Sequence, residues 1–501
     1  MQGEGYRRNE KMIRKRIFKN TFVNSIGKIL SFAFQMAIVS YLVKNLGKEA
    51  YGSIVLALAL AANIQLLEAG FGIGVTKYIA EFNAKGEKKR LLEIINTNII
   101  VTTVFAIIFS CIIFLINEFL LAKIFTLPPN LLSETKSLIR ILIPASIIEF
   151  WSVSIIRVAE GFQKYFAVRL IEVAKWGLRL LFVVIAVKNG YGLTGVGLAY
   201  LGAGAIIMIV LYLSIFAADQ NLKINPFLIN RETFKLLFGF SIWIFLSKIF
   251  AFLSYRVDVI LIGIFLSPVY VTYYDIAFKI YEALKFGILV IASALVPVSS
   301  ELGAMTDRRR LELLFNKVSK YTLVFVFPQL VFAIFYAEGI INMWIGKGVE
   351  VSVLLTQLFA VSLFFFALTS SGAEIMVGLN KVKELAFCGG IAALINFAIS
   401  IILVKTIGVA GPVIGTIVGT IILSAGRLYL MLPLFNLSFL EFLKRILLKP
   451  VISTIIFAVV FFFIVSRNLY IGATVLMFYL IFSTLIMVDA KDRREFVKVF
   501  Y

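Results

Sequence analysis

The sequence predicts an all-α polytopic membrane protein of about 14 transmembrane helices. Three observations carry this. Hydrophobic residues make up 61% of the chain and charged residues 15%, with a mean hydropathy of +0.98. Apolar runs of about 20 residues, enough to cross ~30 Å of hydrocarbon, recur along its whole length. The basic excess, a formal net charge of +21, falls mostly between those runs and not on a polar domain, which argues against a nucleic-acid partner.

Residues 1–19 hold seven Lys or Arg and precede an apolar run from about Phe22 to Val43. That run is too long for the core of a cleaved signal and reads as an uncleaved first helix. Further spans are expected at roughly 52–80, 94–116, 137–159, 166–187, 195–217, 236–266, 270–299, 318–340, 353–378, 385–404, 412–434, 451–466 and 470–488. Lys and Arg concentrate in the tails and the even-numbered connections, as at Lys85, Lys88, Lys89 and Arg90, at Arg308 to Arg310, and at Lys491, Arg493 and Arg494. The positive-inside rule then places both termini in the cytoplasm, with the helices in the plasma membrane. No connection exceeds about 25 residues, so no extramembrane domain is expected to carry an enzyme's chemistry. Cys111 and Cys388 lie in apolar runs and read as packing residues, and the chain has no His. With no Cys/His cluster and no GxxxxGK[ST], neither metal nor other cofactor is expected.

A repeat organises the spans. At an offset of 220 without gaps, AEFNAKGEKKRLLEIIN (Ala80–Asn96) aligns with SELGAMTDRRRLELLFN (Ser300–Asn316). Glu81/Glu301, Ala84/Ala304, Arg90/Arg310, Leu91/Leu311 and Asn96/Asn316 are identical, and Lys28 falls over Lys248. A weaker echo joins YGLTGVG (Tyr191–Gly197) to IGVAGPV (Ile407–Val413). Six spans separate equivalent helices, so the halves share an orientation. The expected division is a six-helix bundle over 1–220, a second over 221–435, and two additional helices with a tail over 436–501.

Charges inside the spans are the candidate functional groups, because a charge at mid-membrane costs ~2.5–3.5 kcal/mol and faces protein or water. They are densest between Ser241 and Lys285, where Lys248, Arg256, Asp258, Asp275, Lys279, Glu282 and Lys285 interrupt two apolar spans. On a continuous seventh helix, Arg256 and Asp258 would lie about 80° to either side of Lys248. On the first helix, Asn24, Lys28, Ser31 and Gln35 form one polar stripe. Lys28, Lys248 and Arg256 suit a phosphate group, although Lys28 could equally snorkel to the cytoplasmic surface. Asp275, Lys279 and Glu282 share a face and either neutralise one another or form part of a site. Glu172, Lys175 and Arg179 also share a face and could pair across helices. Arg140, Arg157 and Arg427 are expected to snorkel. Glu68, ahead of Gly70, Gly72 and Gly74, is either a coupling-ion or sugar-hydroxyl contact or a structural residue.

Several stretches resemble the polysaccharide and lipid-linked oligosaccharide flippases (Wzx type) of the MOP superfamily: NLGKEAYG, EAGFGIGVTKYIAEFNAKGEKKR, SYRVDVILIGIFL and YYDIAFKIYEAL. The resemblance covers essentially the whole chain. It implies a MATE/MOP-like fold of two six-helix bundles around a cavity that opens alternately to each side. The implied cargo is a polyprenyl-pyrophosphate- or phosphate-linked oligosaccharide, bound through Lys28, Lys248, Arg256 and Lys279. Glu68, Asp258, Asp275 and Gln35 would serve coupling or glycan contact. By resemblance to lipid-II-type flippases, the last two helices could hold the polyprenyl tail. Implied partners are membrane lipids and glycan polymerase or glycosyltransferase machinery. A proton- or sodium-coupled organic-cation antiporter is the alternative within the superfamily, but it would favour acidic cavity groups over the basic ones that lead here. A membrane glycosyltransferase would want a large outer loop, and a non-transporting scaffold would not need these buried charges.

Overall fold

Within hydrocarbon every backbone N–H and C=O must be satisfied inside its own segment, so the apolar runs become helices. The computed structural model describes residues 26–61, 65–214, 225, 230–293, 295–305, 307–464 and 472–480, and every regular element among them is helical. The chain divides into two compact units, Met1–Ile249 with Ser267–Val269, and Phe250–Leu266 with Tyr270–Tyr501.

In the first unit, α1 (Ile26–Leu46) and α4 (Lys88–Ile124) flank α2 (Lys48–Ala61) and α3 (Gln65–Lys85) in sequence. They are followed by α5 (Pro129–Gly161), α6 (Tyr165–Lys188), α7 (Gly192–Tyr212) and α8 (Arg231–Tyr255), which crosses into the second unit after Ile249. Helix α5 is the hub, lying against α2, α3, α4 and α7. Ile79, Ile94, Ile95, Val158 and Leu211 are fully inside the core that α3, α4, α5 and α7 share. A Cβ on Gly161 would fall 2.6 Å from Ile79, so α3 and α5 approach as closely as they do only because that position is Gly.

The second unit contains α9 (Val257–Phe265), α10 (Pro268–Ser293) and α11 (Leu295–Ala304). Then come α12 (Arg308–Trp344), α13 (Glu350–Gly378), α14 (Val382–Ile407) and α15 (Ala410–Leu434). An elbow of Phe439–Phe442 and a wide turn at Leu443–Leu447 leads into α16 (Leu448–Ile464). Helix α16 and the helical residues 472–480 lean on α12 through Phe457, Tyr336 and Tyr479.

The sequence repeat reappears in the helix starts. Helix α4 begins at Lys88 and α12 at Arg308, 220 residues on, and both run 37 residues. Helices α7 and α15 begin at Gly192 and Ala410, 218 apart. Among the described residues, eight helices are long and apolar enough to cross a membrane: α1, α4, α5, α7, α12, α13, α14 and α15. The remaining expected spans fall on charged, interrupted or short helices. Span 166–187 is α6, which carries Arg169, Glu172, Lys175 and Arg179. Span 236–266 is not one helix, because α8 ends at Tyr255 and α9 begins at Val257. Spans 52–80 and 270–299 each cover two helices, α2 with α3 and α10 with α11, while 451–466 matches α16 and 470–488 is described only over 472–480.

Candidate functional site

The break at Arg256 stands beside a partly exposed group of charges on α10. The segment Ser254–Asp258 has no Gly or Pro, yet Arg256 adopts φ −100° and ψ −28° as the residue that caps α9. The Arg256 N–H still donates to Phe252 O at 2.9 Å, so the break separates Asp258, and not Arg256, from the continuous helix that carries Lys248. The Arg256 side chain is 43% exposed and lies over the Phe278 ring of α10, with Cζ 5.7 Å from the centroid. One of its terminal nitrogens stands 3.7 Å from Glu282 Oε1, while Lys279 Nζ donates to Glu282 Oε2 at 3.0 Å. Lys279 and Glu282 share a face of α10 because three residues make nearly one turn. One turn on, Lys285 Nζ donates to Tyr281 OH at 3.3 Å and lies 4.7 Å from the centroid of Phe366 on α13. Arg427 of α15 lies over the same ring, with Cζ 5.7 Å away. Beneath these cations Tyr274, Phe278 and Tyr281 pack on Phe359, the closest centroids being 4.9 Å apart.

Asp258, two residues past the break, is 1% exposed. Its Oδ2 accepts from Tyr274 OH (2.9 Å) and from Thr416 Oγ1 of α15 (3.3 Å), and its Oδ1 has no hydrogen-bond partner among the described residues. Close by on α14, Ser400 Oγ donates to Asn396 Oδ1 at 3.0 Å, and Asn396 Nδ2 donates to Ser254 O at 2.9 Å. No cation pairs with Asp258 among the described residues, so its carboxylate has only neutral donors. Asp275 is also buried, one turn before Lys279. No group of three His, Cys, Asp or Glu able to hold a metal ion occurs among the described residues.

The first unit treats charge differently. Glu149, in the middle of α5, is buried and holds two cations of α6, Lys175 Nζ and Arg179 Nη2, each at 2.6 Å. Arg179 also lies over Trp176 and Tyr200, 4.8 and 4.6 Å from their centroids. Glu160 receives Arg157 and Arg169, both at 2.9 Å, and Arg169 in turn pairs with Glu172. Glu118 takes Arg140 in a two-point fork at 2.7 and 2.8 Å. Arg140 and Arg157, expected to snorkel, thus hold carboxylates, and the pairing expected across helices for α6 goes to Glu149. Lys28 is exposed on α1, whereas Ser31 is buried and Gln35 is half-buried with Nε2 on its own helix at Ser31 O, 3.3 Å. The side chains of Glu68 and Lys248 lie outside the described residues. Of the sequence candidates, Arg256 and Lys279 are therefore brought together through Glu282, and Asp258 sits beside them in the chain but inside the helix packing. Glu149 escaped the sequence reading, although a lone carboxylate in an apolar span facing a helix with cations four apart was the available signal.

The profile of the polysaccharide biosynthesis protein family matches residues 17–303. Over 404 residues the chain is 22% identical to the "Putative O-antigen transporter" of Salmonella typhimurium, covering 78% of this chain and 91% of that one. In fold it is similar to lipid II flippase MurJ in an inward closed conformation, with TM-score 0.74 and 18% identity over 93% of this chain and 98% of that one. It is also similar to an inward-facing multidrug resistance MATE family transporter of the MOP superfamily, with TM-score 0.69 and 17% identity over 81% and 95%. The fold is thus that of the MurJ and MATE transporters, and the chain belongs to the polysaccharide biosynthesis protein family, a family of multi-pass membrane transporters and not of enzymes.

Proposed function

We propose that the protein carries a lipid-linked oligosaccharide outward across the cytoplasmic membrane by alternating access, for surface polysaccharide or glycoconjugate synthesis. The observation that carries this is the pairing of a half-open Arg256 with Lys279 over an aromatic floor. Arg offers a planar fork and Lys a compact charge to a phosphate or pyrophosphate, and both gain strength where water is scarce. An inside-negative potential would favour outward passage of an anion by ~2.3 kcal/mol per charge per 100 mV.

In this reading fourteen helices span the membrane with both termini cytoplasmic, as two bundles over 1–220 and 221–435 and a final pair over 436–501. Lys28 and Lys248 are further cations met by the anionic group, while Gln35, Glu68 and Asp275 contact sugar hydroxyls or the coupling ion. Asp258 is the coupling carboxylate: buried among neutral donors, it is costly while ionised and is the natural place to exchange a proton or a monovalent cation. The polyprenyl tail stays in lipid against α16 and residues 472–480, where Ile455, Ile456, Val459, Phe462, Met477 and Phe478 are exposed. Glycosyltransferases would supply the cargo and a glycan polymerase would consume it.

The test is flipping of a fluorescent polyprenyl-pyrophosphate oligosaccharide in proteoliposomes under an imposed potential. Wild type should flip it without ATP, Arg256→Ala should lose at least about 90% of the rate, the scale of one lost charge-assisted contact, and Asp258→Asn should lose its dependence on the ion gradient. Transport of organic cations against a proton or sodium gradient, with the lipid ignored, would replace this reading by the antiporter one.

A further inference from the structure

Glu282 is the odd member of the cationic group. A site meant to receive a phosphate has no obvious need of a carboxylate at its centre, yet Glu282 places one oxygen toward each of the two cations. The two contacts are unequal. The Lys279 contact is a charge-assisted hydrogen bond at 3.0 Å, whereas Arg256 at 3.7 Å is beyond hydrogen-bond range and is held by Coulomb attraction alone. Among the described residues, the only other contact of the guanidinium is the Phe278 face, so its N–H donors remain available to another acceptor. With Arg256 43% and Glu282 33% exposed, water screens the pair and little is lost by parting it. Lys285, one turn after Glu282, and Asp275, two turns before it, complete the charges on this face of α10.

We infer that Glu282 is a resident counter-anion, a positioning residue that an incoming phosphate or pyrophosphate displaces from Arg256 and that returns when the cargo leaves. This rests on the reading of Arg256 and Lys279 as the anion-binding pair. The physical case is one of exchange. A phosphate group offers Arg256 the two-point fork that Glu282 does not make, and carries more charge than one carboxylate. Glu282 keeps its bond to Lys279 and returns to Arg256 as the cargo departs, so the two cations are never left uncompensated. A carrier must bind its cargo weakly enough to release it, and an internal competitor sets that limit without reducing the number of cations. The competition is also selective: a neutral molecule brings no charge with which to displace Glu282 from Arg256, so the same carboxylate discriminates against uncharged cargo.

The experiment uses the full chain in lipid nanodiscs, with inorganic pyrophosphate as the binding probe and the fluorescent polyprenyl-pyrophosphate oligosaccharide as the transport probe. Glu282→Gln should bind pyrophosphate about fivefold more tightly, the scale of one partly screened ion pair. In transport it should lower KM and lower the maximal rate together, because release becomes slower. Glu282→Asp, which keeps the charge beside Lys279 but draws it back from Arg256, should fall between the two, and it carries the test if Glu282→Gln does not fold. Unchanged or weaker pyrophosphate binding in these variants, while Arg256→Ala abolishes it, overturns the counter-anion role and leaves the anion site standing. Pyrophosphate binding that survives Arg256→Ala, or that is absent from wild type and variants alike, overturns the site reading and this inference with it.

Discussion

Glu149 and its two partners on α5 and α6 of the first unit form a closed, buried set of charges, whereas Arg256 and Glu282, at the start of α9 and on α10 of the second, leave theirs open. Glu149 is satisfied by two cations at 2.6 Å and all three side chains are buried. Glu282 also faces two cations, but one stands at 3.7 Å and both of that pair are about a third or more exposed. The two pairs hold different places in the repeat, since about 220 residues carry α5 and α6 onto α13 and α14 and carry α10 back onto α2, so the difference lies in where each pair sits as well as in its side chains. A closed set fixes two helices against each other, since parting the ions in a low dielectric is expensive. An open set costs little to rearrange and can take a ligand in exchange. Charge inside a membrane protein is therefore not by itself a sign of function; how closely it is held and how far water reaches it separate a clamp from a site.

The comparison breaks if both sets respond alike to loss of their carboxylate. Glu149→Gln keeps the shape but leaves Lys175 and Arg179 buried without an anion, and should cost ~3–5 kcal/mol. Thermal unfolding of the detergent-solubilised protein reads this as a large fall in midpoint, partly restored by adding Lys175→Met. Glu282→Gln should cost under ~1 kcal/mol in the same assay, as expected for a partly solvated pair. Equal losses would mean that Glu282 is as structural as Glu149.

A second contrast concerns helix contact. On α15, Gly411, Gly415 and Gly419 recur every four residues against α14, and a Cβ on Gly415 would lie 2.4 Å from Ser400 Oγ and 2.9 Å from Asn396 Oδ1. On α7, a Cβ on Gly204 would meet only Ile148, at an ordinary 3.5 Å. Gly415→Ala should therefore destabilise by ~1–3 kcal/mol through forced overpacking, and it should disturb Asp258 through Ser400, Asn396 and Thr416. Gly204→Ala should be near neutral or slightly stabilising, because alanine favours the helix. Similar midpoints for the two variants would remove the claim that α14 and α15 are packed on glycine.

The same contrasts show which features were legible in the sequence. Eight of the span positions, the 220-residue spacing and the pairing potential of α6 were readable, because hydropathy and spacing are local properties of a chain. The break at Arg256 was not, since neither Gly nor Pro marks it and the apolar pattern runs straight through Val257 to Phe265. Glu149 was missed because its partners sit 26 and 30 residues away on another helix, and a single sequence does not say which faces meet. Arg256 and Lys279 could be named as candidates, but the carboxylate linking them emerged only once α9 and α10 were in place.

The smallest expected effect lies outside the spans, at the elbow before α16. Ser438 and Glu441 form a reciprocal cap: Ser438 N donates to Glu441 Oε2 at 3.0 Å and Glu441 N donates to Ser438 Oγ at 3.2 Å. The Ser438 backbone N–H first, then its hydroxyl, and then Arg445 hold the Glu441 carboxyl below its ordinary value of 4.5. A carboxyl lowered on folding adds stability above its ordinary value and loses it as pH falls through the lowered one. Ser438→Ala removes the hydroxyl's share, so its deficit in thermal midpoint should be present at neutral pH and shrink below about pH 4, as Glu441 protonates in both proteins. Elbow and clamp then differ in scale: Glu149 is closed off from solvent and Glu441 is open to it, so the elbow's contribution should be modest beside the clamp's. A deficit of constant size across that range would mean that the cap acts through the Ser438 hydroxyl alone and that the Glu441 charge adds nothing.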